Sequence, residues 1–239
     1  MSDPVLDVSV IMPALNEEAN IDSAVARSLK AFEDCRLQGE VLVVDDGSGD
    51  RTPERIQACM AQDARVRVLA HAAPQGIGAS FWDGVSQASG RAVVYIPGDD
   101  ESDPGEILRY YPLLERVDIV IPFIINREAR PLFRRVLSSL YGFIVRFTWR
   151  IRLRYTNGTF LIRRSVLDEF GHHSRGFFFQ VEILVRAIQR GHPFTEVPCR
   201  LGRRRTGASK AFSWHSLAQV VRDYLRLLRE QNFFGRSRV

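Results

Sequence analysis

Short apolar runs that stop abruptly at acidic or glycine-containing loops mark the first half of the chain. Val41-Leu42-Val43-Val44 leads into Asp45-Asp46-Gly47-Ser48, and Ala92-Val93-Val94-Tyr95-Ile96 leads into Pro97-Gly98-Asp99-Asp100-Glu101. A run rich in β-branched residues that ends in Asp, Gly or Ser reads as a buried strand finishing at a loop. On this pattern strands are predicted at 7–12, 40–44, 65–70, 92–97 and 118–122, with helices in most intervals. Helix starts are expected near Glu18, at Thr52-Pro53 and after Asp103-Pro104, where a polar cap or a first-turn proline precedes an apolar period. A further helix is expected over 75–89, stopped by Gly90. Such βα alternation predicts a mostly parallel sheet covered on both faces.

Beyond residue 122 the pattern turns helical. From Pro131 to Trp149 apolar residues recur at Phe133, Val136, Leu137, Leu140, Tyr141, Ile144 and Phe147, with arginines gathered at the ends. A short strand at 159–162, a helix at 179–190, a strand at 194–198 and a basic loop at 199–212 follow. The last helix, 213–231, carries Trp214, Leu217, Val220, Val221, Tyr224, Leu225 and Leu228 on an apolar stripe beside Arg222, Arg226 and Arg229. A basic amphipathic helix either covers a core or lies in a membrane interface, and two of them favour the membrane. The expected division is therefore 1–212 as one catalytic-type domain, with 131–149 as an interface helix within it, and 213–239 as a C-terminal amphipathic helix and basic tail.

Composition narrows the classes. With 239 residues, 45% hydrophobic and 26% charged, the chain suits a soluble α/β protein. Of its 33 basic residues only Lys30 and Lys210 are lysines. Arginine suits phosphates and lipid headgroups. No apolar stretch reaches the ~20 residues of a membrane span, and Met1 is followed by Ser-Asp-Pro rather than by a secretory pattern. A cytoplasmic protein held peripherally at the cytoplasmic face of a membrane is expected. Cys35, Cys59 and Cys199 follow no metal-ligand spacing and read as inert thiols. No nucleic-acid motif occurs, and the arginines sit among apolar stripes rather than along a polar groove.

The two acidic clusters carry the chemistry. In an open α/β sheet, ligands bind outside the carboxyl ends of the strands, so both clusters should border one crevice. Clustered carboxylates repel one another unless a cation or a polar ligand is present, and oxygen ligands suit Mg²⁺ or Mn²⁺ shared with substrate phosphates. Turn formation and helix capping are the competing reading. Gly76 and Gly78 would let a backbone approach closely at a helix start, where amides favour phosphate, or make a plain turn.

Six segments in order resemble family 2 glycosyltransferases of the GT-A fold, and among them the dolichol- or polyprenyl-phosphate sugar synthases. They are Val10 to Glu18, Val43 to Asp50, Gln75-Gly76-Ile77-Gly78-Ala79, Gly98-Asp99-Asp100-Glu101, Phe178 to Leu184, and Arg204 to Lys210. The resemblance implies an inverting, metal-dependent transfer from a GDP- or UDP-linked sugar to a polyprenyl phosphate. Transfer to a soluble glycan or protein hydroxyl is the alternative, or a catalytically weak sugar-nucleotide or lipid-binding module.

By the resemblance, Pro13, Asn16 and Glu17 would grip base and ribose, although helix capping also explains Asn16 and Glu17. Asp46 would bond the base, Asp99 the ribose, and Asp100 the metal. Gly76 and Ser209 would lie along the donor, while Arg204 and Lys210 would close over the diphosphate on a mobile loop. Arg127, Arg134 (or Arg135) and Ser138 would receive the acceptor phosphate. Glu182 stands where relatives that glycosylate hydroxyls carry a base, or it pairs structurally with an arginine. A lipid phosphate is already an anion and needs little help from a base. The chain departs from the pattern at Gly98, where an aspartate is usual, at Ser102 and at Pro74. Glu101 or Asp103 is the candidate for the lost carboxylate.

Overall fold

The computed structural model describes residues 6–126, 132–156, 158–170, 174–200 and 214–235, with side chains described for all of these but 132–137, 214–216 and 231–235. The sequence expectations at Arg127, Arg204, Ser209 and Lys210 lie outside the described residues, as does the side chain of Arg134.

In chain order the elements are β1 (Val8–Ala14), α1 (Ile21–Cys35), β2 (Gly39–Asp45), α2 (Thr52–Gln62), β3 (Val66–Ala70), α3 (Ile77–Gln87) and β4 (Ala92–Tyr95). There follow α4 (Pro104–Leu108), a 3₁₀ turn at Tyr111–Glu115, β5 (Ile119–Ile124), α5 (Leu132–Trp149), β6 (Leu161–Arg163), α6 (Arg164–Asp168), α7 (Phe179–Gln189), β7 (Phe194–Cys199) and α8 (Trp214–Gly235). The predicted strands and long helices are present. The first helix starts at Ile21 rather than near Glu18, because Glu17–Asn20 form a turn in which the Asn20 and Ile21 amides donate to the Glu17 carbonyl. The short α6 and the 3₁₀ turn had no sequence counterpart.

The strands form one seven-stranded sheet in the order β3-β2-β1-β4-β6-β5-β7. All neighbours pair in parallel except β6, which runs antiparallel to both β4 and β5. Alternation along each strand divides the core, since successive side chains point to opposite faces. Val8, Val10 and Met12 of β1 pack with Ile21, Val25 and Phe32 of α1 and Ile56 of α2. Ile11 of the same strand faces Phe81 and Trp82 of α3, with Val145 and Trp149 of α5, Phe179 and Ile183 of α7 and Leu227 of α8 on that side. The result is three layers, helix on sheet on helix. Chain order reverses between β1 and β4, so the ends of β1, β2 and β4 open a crevice where ligands bind in such sheets.

α8 is tied into the domain. Leu227 is fully buried, the Tyr224 hydroxyl lies 2.6 Å from Thr148 Oγ1, and its ring packs edge-on against Trp149. Among the described residues no helix is long and apolar enough to cross a membrane.

Candidate active site

Two loops at the crevice are stitched together. Asn16, at φ 51°, donates its amide to Ser48 Oγ at 2.9 Å, and its side-chain oxygen accepts from the Gly49 amide at 2.7 Å. The Glu17 amide donates to Thr52 Oγ1 at 2.8 Å, while its carboxylate accepts from Asn20 Nδ2 at 2.8 Å. The residue preceding α1, Asn20, makes no side-chain cap to the helix. Pro13 is buried at the end of β1, and its carbonyl accepts the Gly98 amide at 3.0 Å, which ties the β1 and β4 ends together.

Asp46 is 4% exposed. Its carboxylate accepts the amides of Gln75 (2.8 Å) and Gly76 (2.9 Å) and meets His71 Nδ1 at 2.7 Å. His71 Nε2 lies 3.3 Å from the Asp83 carboxylate, outside hydrogen-bond geometry. Asp46 thus orders the 71–76 loop beside the crevice. Gly47 is required there: its φ is 73°, and a Cβ would stand 2.9 Å from the Ala73 backbone.

The two adjacent aspartates after β4 go different ways. Asp100 is 4% exposed and turned towards α1, with Oδ1 accepting from Arg27 Nη1 at 2.8 Å and Oδ2 from Ser23 Oγ at 2.8 Å. Both oxygens of Asp100, the residue expected to hold the metal, are thus engaged with side chains of α1. Asp99 is half-buried at the end of β4, its Oδ1 accepting the Glu101 amide at 3.1 Å. Burial pushes the Tyr95 phenol upward, and the nearby Asp99 and Glu101 carboxylates add to that shift. Asp103 caps α4 by accepting the Gly105 amide at 3.0 Å and pairs with Arg27 Nη2 at 3.1 Å. Of the two candidates for the lost carboxylate, Asp103 is occupied and Glu101 is beside Asp99. A Cβ at Gly98 would already lie 3.0 Å from Ile21 and 3.3 Å from Ala14, so the site has little room for an aspartate.

The glycine turn is closely packed. Gly76 has φ 103°, and a Cβ there would meet the Arg175 carbonyl at 2.6 Å. The Gly78 and Ala79 amides donate to that carbonyl at 2.9 and 3.2 Å. The Gly78 and Ala79 amides of α3 thus hold the backbone at Arg175. Arg175 itself reaches Gln75 Oε1 at 2.7 Å.

Glu182 lies among arginines. It is 3% exposed, and Arg186 Nε and Nη2 donate to its Oε1 at 3.1 and 2.9 Å. Arg226 of α8 reaches Oε2 at 3.5 Å, and Arg186 also pairs with Glu230. Of the two readings open in the sequence, the arginine partner is the one observed. Ser138 is half-buried on α5, one helical turn from Arg134. Ser23, Arg27, His71 and Arg175 were not singled out in the sequence. The only available signal was the i, i+4 spacing of Ser23 and Arg27 on α1.

The outward surface is unusually apolar. α5 packs Gly142, Val145 and Trp149 inward and exposes Leu140, Phe143, Ile144 and Phe147, the last at 77%. α8 exposes Leu217, Val221 and Leu225 along one line. An open groove of about 490 Å³ runs beside it, lined by Val221, Leu225 and the arginines 222, 226 and 229.

The Glycosyl transferase family 2 profile matches residues 9–178. The undecaprenyl-phosphate 4-deoxy-4-formamido-L-arabinose transferase of Salmonella choleraesuis (strain SC-B67) is 26% identical over 228 residues, covering 94% of this chain and 68% of that protein. The same transferase of Salmonella newport (strain SL254) matches at the same identity and coverage. Among solved structures, glucosyl-3-phosphoglycerate synthase from Mycobacterium tuberculosis in complex with Mg²⁺ and uridine diphosphate superposes with a TM-score of 0.68 at 22% identity, covering 93% of this chain and 79% of that one. That likeness concerns the fold, and it agrees with the GT-A architecture expected from the sequence. Six parallel strands, with acidic loops at the carboxyl ends of β2 and β4, and a family profile spanning most of the domain lead to one assignment: the chain belongs to glycosyl transferase family 2.

Proposed function

We propose that this protein transfers a sugar, with inversion, from a nucleotide sugar to a polyprenyl phosphate at a membrane surface, and that it uses Mg²⁺ or Mn²⁺. The acceptor half of the reading is supported by the Salmonella relatives, which are undecaprenyl-phosphate transferases by name. The observation that carries it is α5, which buries Val145 and Trp149 against the domain yet exposes Leu140, Phe143, Ile144 and Phe147, an apolar outer stripe that suits a lipid interface. With the arginine-lined groove of α8, this face suits an anionic bilayer, which supports a peripheral position on the cytoplasmic side.

The residues fit a divalent cation. Among the described residues no three acidic, His or Cys side chains gather as a complete metal cage. A hard cation held by one carboxylate, substrate phosphate oxygens and water needs no such cage. We assign Asp100 as that carboxylate, with Asp99 on the ribose of the donor and Glu101 or Asp103 as a further carboxylate of the same loop. When bound, the cation would neutralise charge on the departing diphosphate.

The chain's own residues do the rest. The stitched 15–20 and 46–51 loops, with Pro13, Asn16, Glu17 and Asp46, hold the nucleotide end of the crevice. Arg127, Arg134 and Ser138 receive the acceptor phosphate. That anion attacks the anomeric carbon without a deprotonating base, which accords with Glu182 being locked among arginines. Arg204, Ser209 and Lys210 cover the diphosphate.

The test is a panel of radiolabelled sugar nucleotides, GDP- and UDP-linked, incubated with polyprenyl phosphate and Mn²⁺ or Mg²⁺. Chloroform-soluble label that depends on the lipid phosphate and on the metal is expected. Label transferred only to water-soluble acceptors, or failure to float on anionic liposomes at low salt, would overturn the lipid-acceptor reading.

A further inference from the structure

Residues 174–176 are wedged between α8 and the start of α3. On the α3 side, the Arg175 carbonyl accepts the Gly78 and Ala79 amides at 2.9 and 3.2 Å. A Cβ at Gly78 would stand 2.4 Å from the Ser174 carbonyl oxygen, and one at Gly76 2.6 Å from that of Arg175, so the two backbones leave no room between them. On the α8 side, the buried Ser174 hydroxyl donates to Asp223 Oδ2 at 2.6 Å. A Cβ at Gly176 would stand 2.6 Å from Cδ of Gln219. Gln219 and Asp223 are one helical turn apart, so a single face of α8 meets the segment at both its ends.

The contact continues towards the crevice. Arg175 Nη2 donates to Gln75 Oε1 at 2.7 Å, and the Gln75 and Gly76 amides donate to the two carboxylate oxygens of Asp46 at 2.8 and 2.9 Å. Asp46 directly follows β2, and its own amide donates to the Ala14 carbonyl at the end of β1 at 2.8 Å. Asp223, 5% exposed, has its other oxygen 3.4 Å from Arg226. Docking of α8 through Leu227 and Tyr224 does not by itself require a buried carboxylate turned onto this segment. The family profile ends at residue 178, ahead of α8.

We propose that Asp223, with Gln219, is a positioning residue for the nucleotide: through residues 174–176 it holds the 75–76 turn against Asp46 and so shapes the nucleotide end of the crevice. The inference rests on the reading that the nucleotide lies beside the stitched 15–20 and 46–51 loops. Asp223 acts through the backbone of 174–176 and the Arg175 side chain, not by touching the nucleotide. Close-packed groups pass a displacement on rather than absorb it, so a shift of Ser174 must reach the glycine turn.

The experiment titrates UDP and, separately, GDP by calorimetry in the presence of Mn²⁺. It compares wild type, Asp223→Ala, Asp223→Asn, Ser174→Ala, Gln75→Ala, Tyr224→Phe and the double variant Asp223→Ala/Gln75→Ala. Thermal unfolding of each is recorded without ligand. Changes along a packed chain of this kind alter affinity by about three- to tenfold, and that is the expected weakening for Asp223→Ala and Ser174→Ala. Asp223→Asn keeps an oxygen that accepts from Ser174 and should bind within about twofold of wild type. Tyr224→Phe loses the contact to Thr148 on the same helix and should melt earlier with unchanged affinity. The double variant should lose no more than the larger single loss, since both substitutions interrupt one route.

Ser174→Ala that melts earlier but binds as wild type does would overturn the inference, whether or not Asp223→Ala folds, and would leave the contact as helix docking alone. Tyr224→Phe that weakens the nucleotide equally would overturn it too, because any loosening of α8 would then suffice. Losses that multiply in the double variant would show two independent routes and count against it. Wild type that binds neither nucleotide would instead overturn the underlying reading of the crevice, and the inference with it.

Discussion

Replacing Glu182 by glutamine separates two accounts of the same side chain. Its Oε1 accepts two donors from Arg186, at 3.1 and 2.9 Å, on a residue 3% exposed. Hydrogen bonds to charged groups contribute about 1.5–3 kcal/mol each when removed singly. Two effects reduce that figure. Glutamine retains an acceptor oxygen of similar position, and Arg186 keeps Glu230, whose side chain is one-third exposed. The contact to Arg226 adds little, because at 3.5 Å it involves a guanidinium 37% exposed. The net expectation is a loss of about 2 kcal/mol, which for a domain of this size lowers Tm by about 4–8 °C. Urea unfolding should show a lower midpoint with an unchanged slope. Turnover per folded molecule, with polyprenyl phosphate as acceptor, should change little. A general base at this position would give the reverse, since losing one costs about a hundredfold or more in rate. A Glu182→Gln protein with the wild-type midpoint and a hundredfold lower turnover would refute the structural account.

Gly78→Ala forces a Cβ towards three backbone groups, among them Arg175 C and Gly176 O at 2.8 Å, so a loss of about 2–4 kcal/mol is expected in urea unfolding. Gly49→Ala, with nothing within 4 Å of its Cβ, should stay within about 0.5 kcal/mol and serves as the control. At His192, burial lowers the pKa, but hydrogen bonds to Asp118 and Glu169 outweigh it and leave the pKa raised above 6.5. Its contribution is therefore full below pH 6.5 and disappears as pH rises through the higher folded value, so wild type should exceed His192→Asn in stability by more at pH 5.5 than at pH 8.5. A constant difference would show that the pair does not titrate with folding. Phe147→Glu, on the side chain exposed at 77%, should reduce flotation on anionic liposomes while leaving Tm unchanged, and unaltered flotation would remove α5 from the membrane contact.

The architecture was legible in the chain because its signals are local. Buried parallel strands read as apolar runs such as Val41 to Val44, and their acidic ends mark the crevice whatever the rest of the fold does. Amphipathic periods placed both ends of α5 and the start of α8 within one residue of their observed bounds, while α8 runs four residues past its expected end. The direction of β6 was not legible, since three residues carry no sign of whether a neighbour runs with or against them.

The chemistry was legible only as far as residue types go. Asp100, at φ 58°, is held against α1 by Arg27, 73 residues away in sequence. Glu182 belongs to a structural cluster because Arg226, 44 residues later, folds back against it. The Gly78 and Ala79 amides of α3 are taken up by the Arg175 carbonyl from a distant part of the chain. In each case a polar group's partner is chosen by packing between distant elements. A buried group cannot stay unpaired, so whichever partner the fold delivers determines whether that side chain is free to act on a substrate.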